Sequence, residues 1–219
     1  ARIGDVDIVG VPRDPWARWS RKLAWALRFP SFSADRARVA ATFSGIDAAL
    51  ADSTGGDARA IRPRIRRVEH HRAHVASAFF ASPYDRAAVL SLDGLGDFAS
   101  GVAGVGEGTR IRIDSESVFP HSLGIWFSAV TQYMGFPHYG DEYKVMGLAA
   151  YGSPTQLDAM RRLVRDTGRG LGYALDLAAF RHPTHGPGIT WTGGSPRQAQ
   201  LFGSQFEARF GPRREPDSA

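Results

Sequence analysis

Residues 70–97 read HHRAHVASAFFASPYDRAAVLSLDGLGD, and this stretch decides how the chain is read. From His70 to Ser82 the run is alanine-rich with apolar residues at helical spacing, and Pro83 stops it, so it predicts a helix. Ala87 to Leu92 is a short, continuous apolar run, β-branched at Val89, which suits a buried strand. Asp93-Gly94-Leu95-Gly96-Asp97 follows and predicts a turn at the strand's carboxyl end. A helix feeding a buried strand in this way points to an α/β or α+β chain.

His70 and His74 are four residues apart, so a helix projects both from one face, within reach of a single cation. Imidazole accepts iron, zinc, manganese or nickel. His71 lies between them and points elsewhere. Taken alone, such a pair is as readily two polar surface residues. Asp93 adds a carboxylate at a strand's carboxyl end, where ligand sites of α/β sheets gather, and a two-histidine, one-carboxylate set is a metal-binding combination. Gly94 and Gly96 allow a ligand to approach the main chain closely, and their N–H groups can cradle phosphate oxygens. A plain hairpin turn is the other reading of the same glycines.

Working outward, Asp5–Val11 alternates and predicts a strand. Trp16–Phe29 predicts an aromatic, basic helix stopped by Pro30, and Val39–Leu50 a second helix. Ser53–Asp57 reads as a loop and Arg64–Val68 as a short strand. Downstream, Ala99–Val105 and Arg110–Val118 read as strands joined through Gly106-Glu107-Gly108. Helices are expected over Ser122–Met134, Asp141–Ala149 and Pro154–Thr167. From Gly168 to Pro196 the pattern thins to loop. One domain is expected over residues 1–205. A tail without order is expected over residues 206–219, where the nine residues after Phe210 hold Gly, Pro, Arg, Glu, Asp, Ser and Ala without periodicity.

Composition limits the chemistry. The 219 residues contain no cysteine, which excludes disulfides, thiolate ligands and a cysteine nucleophile. Net charge is +5, and the basic residues are almost all arginine, Lys22 and Lys144 being the lysines. Without interleaved aromatics or a helix-turn-helix pattern, the charge reads as solvated arginine rather than as a nucleic-acid surface. A positive field also suits an anionic small-molecule substrate. No apolar run is long enough to span a bilayer, so a soluble, cytoplasmic protein with no membrane partner is expected. Lys144 follows Asp141-Glu142-Tyr143. Asp141 reads as ordinary helix capping, whereas Lys144 offers a compact ammonium for a phosphate or carbamoyl oxygen.

Four stretches occur in order: HHRAHVASAFF (70–80), LSLDGLGD (90–97), FPHSLGIWFSAVTQYMGF (119–136) and GDEYKVMGLAAYG (140–152). Together, from about Val68 to Gly152, they resemble the carbamoyltransferase family of the nodulation and antibiotic O-carbamoylation type, related to tRNA threonylcarbamoyl-transfer proteins. The resemblance implies a partial actin–hexokinase-like (ribonuclease H-like) fold, with a mixed sheet and flanking helices. It implies His70, His74 and Asp93 as ligands of a divalent metal, iron first. It also implies ATP and carbamoyl phosphate as co-substrates. Gly94, Gly96 and Asp97, with Glu142 and Lys144, would face the nucleotide and carbamoyl group. Lys144 and His121 are the candidate catalytic residues, and a capping or core role is the alternative for His121.

The implied reaction transfers a carbamoyl group, by way of carbamoyladenylate, to a hydroxyl of an antibiotic or saccharide. The same resemblance places the family's first strand and phosphate loop ahead of residue 1. A fourth ligand and the carbamoyladenylate-forming domain would lie beyond residue 219, so a chain truncated at both ends is expected. It leaves as alternatives a non-catalytic metal- or nucleotide-binding remnant and a tRNA-modifying relative.

Overall fold

The computed structural model describes residues 3–30, 45–192 and 195–215. These form a mixed α/β chain that divides into two compact units. The first comprises residues 1–85 and 96–98, and the second residues 86–95 and 99–219.

In the first unit, β1 (Val9–Val11) pairs in parallel with β2 (Ile65–Arg67), Val9 opposite Ile65. The strand expected from Asp5 is thus confined to its last three residues, and Ile3–Asp5 is a 3-10 turn instead. Helix α1 (Trp19–Arg28) falls within the predicted span. Helix α2 (Ile46–Thr54) runs four residues past the expected end; Gly55 stops it with a left-handed φ of 66°. The earlier part of the expected helix, residues 39–44, lies outside the described residues. A short α3 (Ala58–Ile61) follows the expected Ser53–Asp57 loop, capped by Asp57, whose carboxylate accepts the Arg59 N–H at 2.9 Å.

Helix α4 (His70–Phe80) follows the sequence closely. His71, Val75 and Phe79, four apart, form its buried side, and Pro83 lies just beyond its end. Its first turn is tied down by two carboxylates. Glu69 accepts the Arg72 N–H at 2.9 Å and Asp97 accepts the His70 N–H at 2.9 Å. Negative charge at a helix N-terminus meets unsatisfied N–H groups and the positive end of the helix dipole.

The second unit contains the sheet β3–β4–β5, made of β3 (Arg86–Gly96), β4 (Ala99–Glu107) and β5 (Arg110–Val118). Here the structure corrects the reading of β3 twice. The strand does not stop at Leu92 but continues through Gly96, and the turn falls on Asp97 and Phe98, with φ of 49° and 69°. Two consecutive left-handed residues suit the right-handed twist of a two-residue hairpin. Nor is the strand buried on both sides. Val89 and Ser91 are buried, whereas Leu90 and Leu92 are 63% and 47% exposed. β4 and β5 are antiparallel, Glu107 opposite Arg110.

Helix α5 (Leu123–Tyr133) matches its prediction, with Ile125, Ala129, Val130 and Tyr133 buried. Helix α6 (Glu142–Ala149) follows. The long helix expected over Pro154–Thr167 is instead α7 (Leu157–Leu163) running into β6 (Val164–Asp166). β6 pairs antiparallel with β7 (Tyr173–Leu175). The region read as loop also contains a short helical turn, α8 (His182–His185), and a hairpin of β8 (Ile189–Thr192) and β9 (Ser195–Gln198).

Part of the tail expected without order from residue 206 is helical in the structure. Helix α9 (Ser204–Phe210) packs Phe206, fully buried, against Tyr133 and Phe180, with ring centroids 5.6 and 5.4 Å away. Tyr133 donates its hydroxyl to the Gly211 carbonyl, and the Arg214 N–H donates back to the Tyr133 carbonyl at 3.1 Å. Phe202, Phe206 and Phe210 are four apart, and that spacing gives the segment enough apolar surface to order it. Among the described residues, no helix is long and apolar enough to cross a membrane.

Candidate metal centre

On α4 the helical repeat brings His70 and His74 together. Their Nε2 atoms are 3.0 Å apart and their ring planes lie at 84°. His70 is half-buried and His74 exposed. Two imidazole nitrogens bound to one cation at about 2.0–2.1 Å each lie roughly 3 to 3.4 Å apart, so this spacing fits a shared ion after a small adjustment.

Gly96 is what makes room for His70. A Cβ at this position would lie 1.9 Å from His70 Cδ2 and 2.7 Å from its Nε2. The glycine expected to cradle phosphate thus serves a histidine ring. Asp97, expected near the nucleotide, is a buried anchor of the same unit. Its Oδ2 accepts the N–H groups of Asp14 at 2.8 Å and His70 at 2.9 Å. Its main-chain carbonyl accepts from Arg18 at 3.2 Å. Arg18 in turn pairs with Glu69 at 2.9 Å. Burial works against the Glu69 charge, but Arg18 and main-chain N–H groups outweigh it and hold its carboxyl below the usual range. Glu69 and Asp97 thus tie down the start of α4, and Arg18 and Asp14, ahead of α1, bond to the same two residues.

Asp93 belongs to the second unit, three residues ahead of Gly96 along β3. Its Oδ1 accepts the Gly94 N–H at 2.6 Å. The main chain here is pinned by the start of α5. Ser122 directs its hydroxyl at the carbonyls of Asp93 (3.0 Å) and Gly94 (2.7 Å), and its oxygen accepts the Ile125 N–H at 3.0 Å. Gly124 is required in the same place, since its Cβ would meet the Gly94 nitrogen at 2.6 Å. A Cβ on Gly94 would meet nothing within 4 Å, so that side of the strand is open.

The other candidates lie elsewhere in the second unit. Glu142 accepts a hydrogen bond from Ser128 at 2.5 Å across α5 and α6. Lys144 is ion-paired to the buried Asp141 at 2.7 Å, and that hydrogen bond raises its pKa above the ordinary lysine value. Its Nζ also lies 5.6 Å from the centre of the Phe136 ring. Asp141 caps nothing with its side chain at the α6 start. Instead it accepts the His138 N–H at 3.1 Å and holds Lys144.

His121 is hydrogen-bonded through both its ring and its main chain. Its Nδ1 accepts the Leu175 N–H at 3.1 Å, joining α5's approach to β7. Burial and the Arg165 charge lower its pKa. Its carbonyl accepts the hydroxyls of Ser100 and Ser117. A separate cleft of about 480 Å³ in this unit, lined by Phe180, Arg181, His185, Gln200 and Glu207, contains none of the candidates.

Sequence reasoning missed Ser122, Gly124, Glu69 and Arg18. Ser122 carried a signal, a serine immediately ahead of an apolar helical run. Arg18 and Glu69, 51 residues apart, carried none.

Residues 44–188 match the family described as carbamoyltransferase N-terminus. Over 150 residues the chain is 42% identical to an uncharacterized protein of Synechocystis, covering 68% of this chain and 22% of that protein. It is 45% identical over 93 residues to nodulation protein NolNO of Sinorhizobium fredii, 42% of this chain and 13% of the relative. With nodulation protein NolO of Bradyrhizobium diazoefficiens it shares 42% identity over 87 residues, 40% of this chain and 16% of the relative. The matched segments thus span about a fifth or less of these relatives' own lengths.

Proposed function

Because this chain belongs to the carbamoyltransferase family, through the N-terminal region of that family, we propose that it forms part of an enzyme that moves a carbamoyl group onto a hydroxyl of a small-molecule acceptor, such as an antibiotic or saccharide. The observation that carries the proposal is the pair of imidazole nitrogens 3.0 Å apart on α4, with Gly96 clearing the space for His70. Two imidazoles and a carboxylate are a donor set for a divalent ion, and Fe²⁺ is the ion we assign. His70, His74 and Asp93 would hold it. When bound, it supplies Lewis acidity toward carbamoyl or phosphate oxygens.

The remaining chemistry falls to the protein and its co-substrates. In another domain, carbamoyl phosphate would be hydrolysed to carbamate and phosphate, and the carbamate oxygen would attack the α-phosphorus of ATP, giving carbamoyladenylate and releasing pyrophosphate. The acceptor oxygen then bonds to the carbamoyl carbon, the bond from that carbon to the phosphate oxygen breaks, AMP leaves, and the hydroxyl proton passes to a base. Lys144 uses one N–H for Asp141 and has two others to direct at an anionic oxygen. Glu142, steadied by Ser128, and the open side of Gly94 would border the nucleotide. An actin–hexokinase-like arrangement and a cytoplasmic setting go with these co-substrates.

The test is the divalent-metal content of the purified chain beside the His70→Ala/His74→Ala variant. Close to one ion per chain, lost in the variant, is the expected result, and ATP-dependent carbamoyl transfer by the full-length protein should disappear with it. Equal metal content in both proteins would overturn the site.

A further inference from the structure

The cleft of the second unit has no part in the proposed transfer. Its volume of about 480 Å³ lies within the range of small-molecule sites, roughly 300–1,000 Å³. Phe180 and Phe202 close its floor as partners in an antiparallel bridge. On either side of that bridge the Arg181 N–H donates to the Leu201 carbonyl at 2.7 Å and the Gly203 N–H to the Ala179 carbonyl at 2.8 Å. Both rings are buried against Phe206, with centroids 5.4 and 5.9 Å away. The floor is therefore fixed before any ligand arrives, and binding does not have to order it. All the lining residues fall within 178–207, so one unit supplies the whole cleft.

The polar groups around that floor narrow what it takes. Arg181 and Glu207 bring one charge of each sign, and neither side chain has a hydrogen-bond or ion-pair partner among the described residues. The neighbouring Arg209 is already paired with Asp176 at 2.6 Å. His185 Nδ1 lies 3.3 Å from the Arg181 carbonyl and 2.7 Å from the Thr184 hydroxyl, which itself donates to that carbonyl at 3.2 Å. A carbonyl only accepts, so Nδ1 is the donor and Nε2 is the ring nitrogen left for a partner. Gln200 donates its amide N–H to the Phe202 carbonyl at 3.1 Å and keeps Oε1 to accept. An anion in the cleft would face Glu207, and a cation would face Arg181. A small zwitterion matches the two signs but leaves most of the volume empty. A carboxylate accepts from two neighbouring hydroxyls, and a guanidinium donates to two neighbouring oxygens. Adjacent hydroxyls on a sugar ring, each donor and acceptor at once, satisfy both without bringing net charge.

We propose that this cleft binds an uncharged saccharide of one or two rings, held through adjacent hydroxyls by Arg181 and Glu207. The inference stands on the cleft alone and does not depend on the metal centre. The test is an NMR titration of the full 219-residue chain with glucose, galactose, mannose, N-acetylglucosamine, maltose and cellobiose, beside inorganic phosphate and glycine. Arg181→Gln and Glu207→Gln accompany it. Both side chains are exposed, so the circular dichroism spectra of the variants should match the parent's. At least one sugar should bind with a Kd on the order of millimolar, and each variant should weaken that binding about tenfold through the loss of its charge-assisted hydrogen bonds. Phosphate and glycine should leave the spectrum unchanged. Three results would overturn the proposal: no sugar bound, sugar binding that both variants retain, or phosphate or glycine bound in place of every sugar.

Discussion

Gly96 shows how one missing side chain can decide a site. Its Cβ position is already occupied by the His70 ring, at 1.9 Å from Cδ2. Gly96→Ala must therefore push His70 away from His74, because the strand main chain on the other side has little freedom to yield. Overpacking of this kind costs about 1–3 kcal/mol. The expected outcome is a lower urea midpoint together with lost metal retention, whereas Gly94→Ala, which meets open space, should keep the His70–His74 pair intact and bind metal as the parent does. Equal metal binding by Gly96→Ala and the parent would show that His70 is not a ligand. The neighbouring anchor works by charge: Asp97 and Glu69 satisfy the first N–H groups of α4, so the histidine-bearing turn is the best-tied turn of that helix.

Among the elements, the junction of β3 and α5 is the most constrained. Ser122 caps α5 and at the same time reaches the carbonyls of Asp93 and Gly94, while Gly124 lets the helix sit on that main chain. Ser122→Ala removes the cap and the tie together and leaves part-buried carbonyls short of a donor. A loss of about 1–3 kcal/mol in stability is expected, measured by chemical denaturation. Ser122→Thr, which keeps the hydroxyl, should recover most of it if the added methyl is accommodated. Were Ser122→Ala as stable as the parent, the hydroxyl would not be what joins the two elements. At α6, by contrast, the short contact is between charges, Asp141 and Lys144, and the helix buries none of its residues.

For the whole molecule, stability should depend on pH through a histidine outside the proposed site. His182 is fully buried, with its Nε2 2.8 Å from the Pro120 carbonyl and its ring edge-on to Phe119 and Phe180. Burial drives its pKa from 6.5 down to about 4; the Pro120 hydrogen bond opposes this and the nearby His121 adds to it. The folded form therefore holds His182 neutral while the unfolded chain takes up a proton below about pH 6.5. Stability from this residue is complete above that pH and is lost as pH falls toward 4, about 3 kcal/mol in all. His121, also lowered by burial, acts in the same direction. Urea unfolding between pH 7 and pH 4.5 should show this decline, and His182→Gln, which keeps a donor for Pro120 without a titrating ring, should flatten it. An unchanged slope in the variant would place the pH dependence elsewhere.

The residues alone determined whatever depends on neighbours a few positions apart. The spans of α4 and α5, the stop at Pro83 and the i,i+4 pairing of His70 with His74 are properties of local spacing. The order of four motifs between Val68 and Gly152 was enough to indicate the family. Only the tertiary structure decided that β3 continues through Gly96 and turns at Asp97 and Phe98. It alone revealed that Leu90 and Leu92 face outward, that Asp97 anchors a helix, and that residues 204–210 form an ordered helix against Tyr133. The reason is distance along the chain. Asp97 meets His70 across 27 residues, and Tyr133 meets Gly211 across 78. Contacts that far apart leave no periodic trace, because they depend on packing between elements and not on the pattern within any one of them.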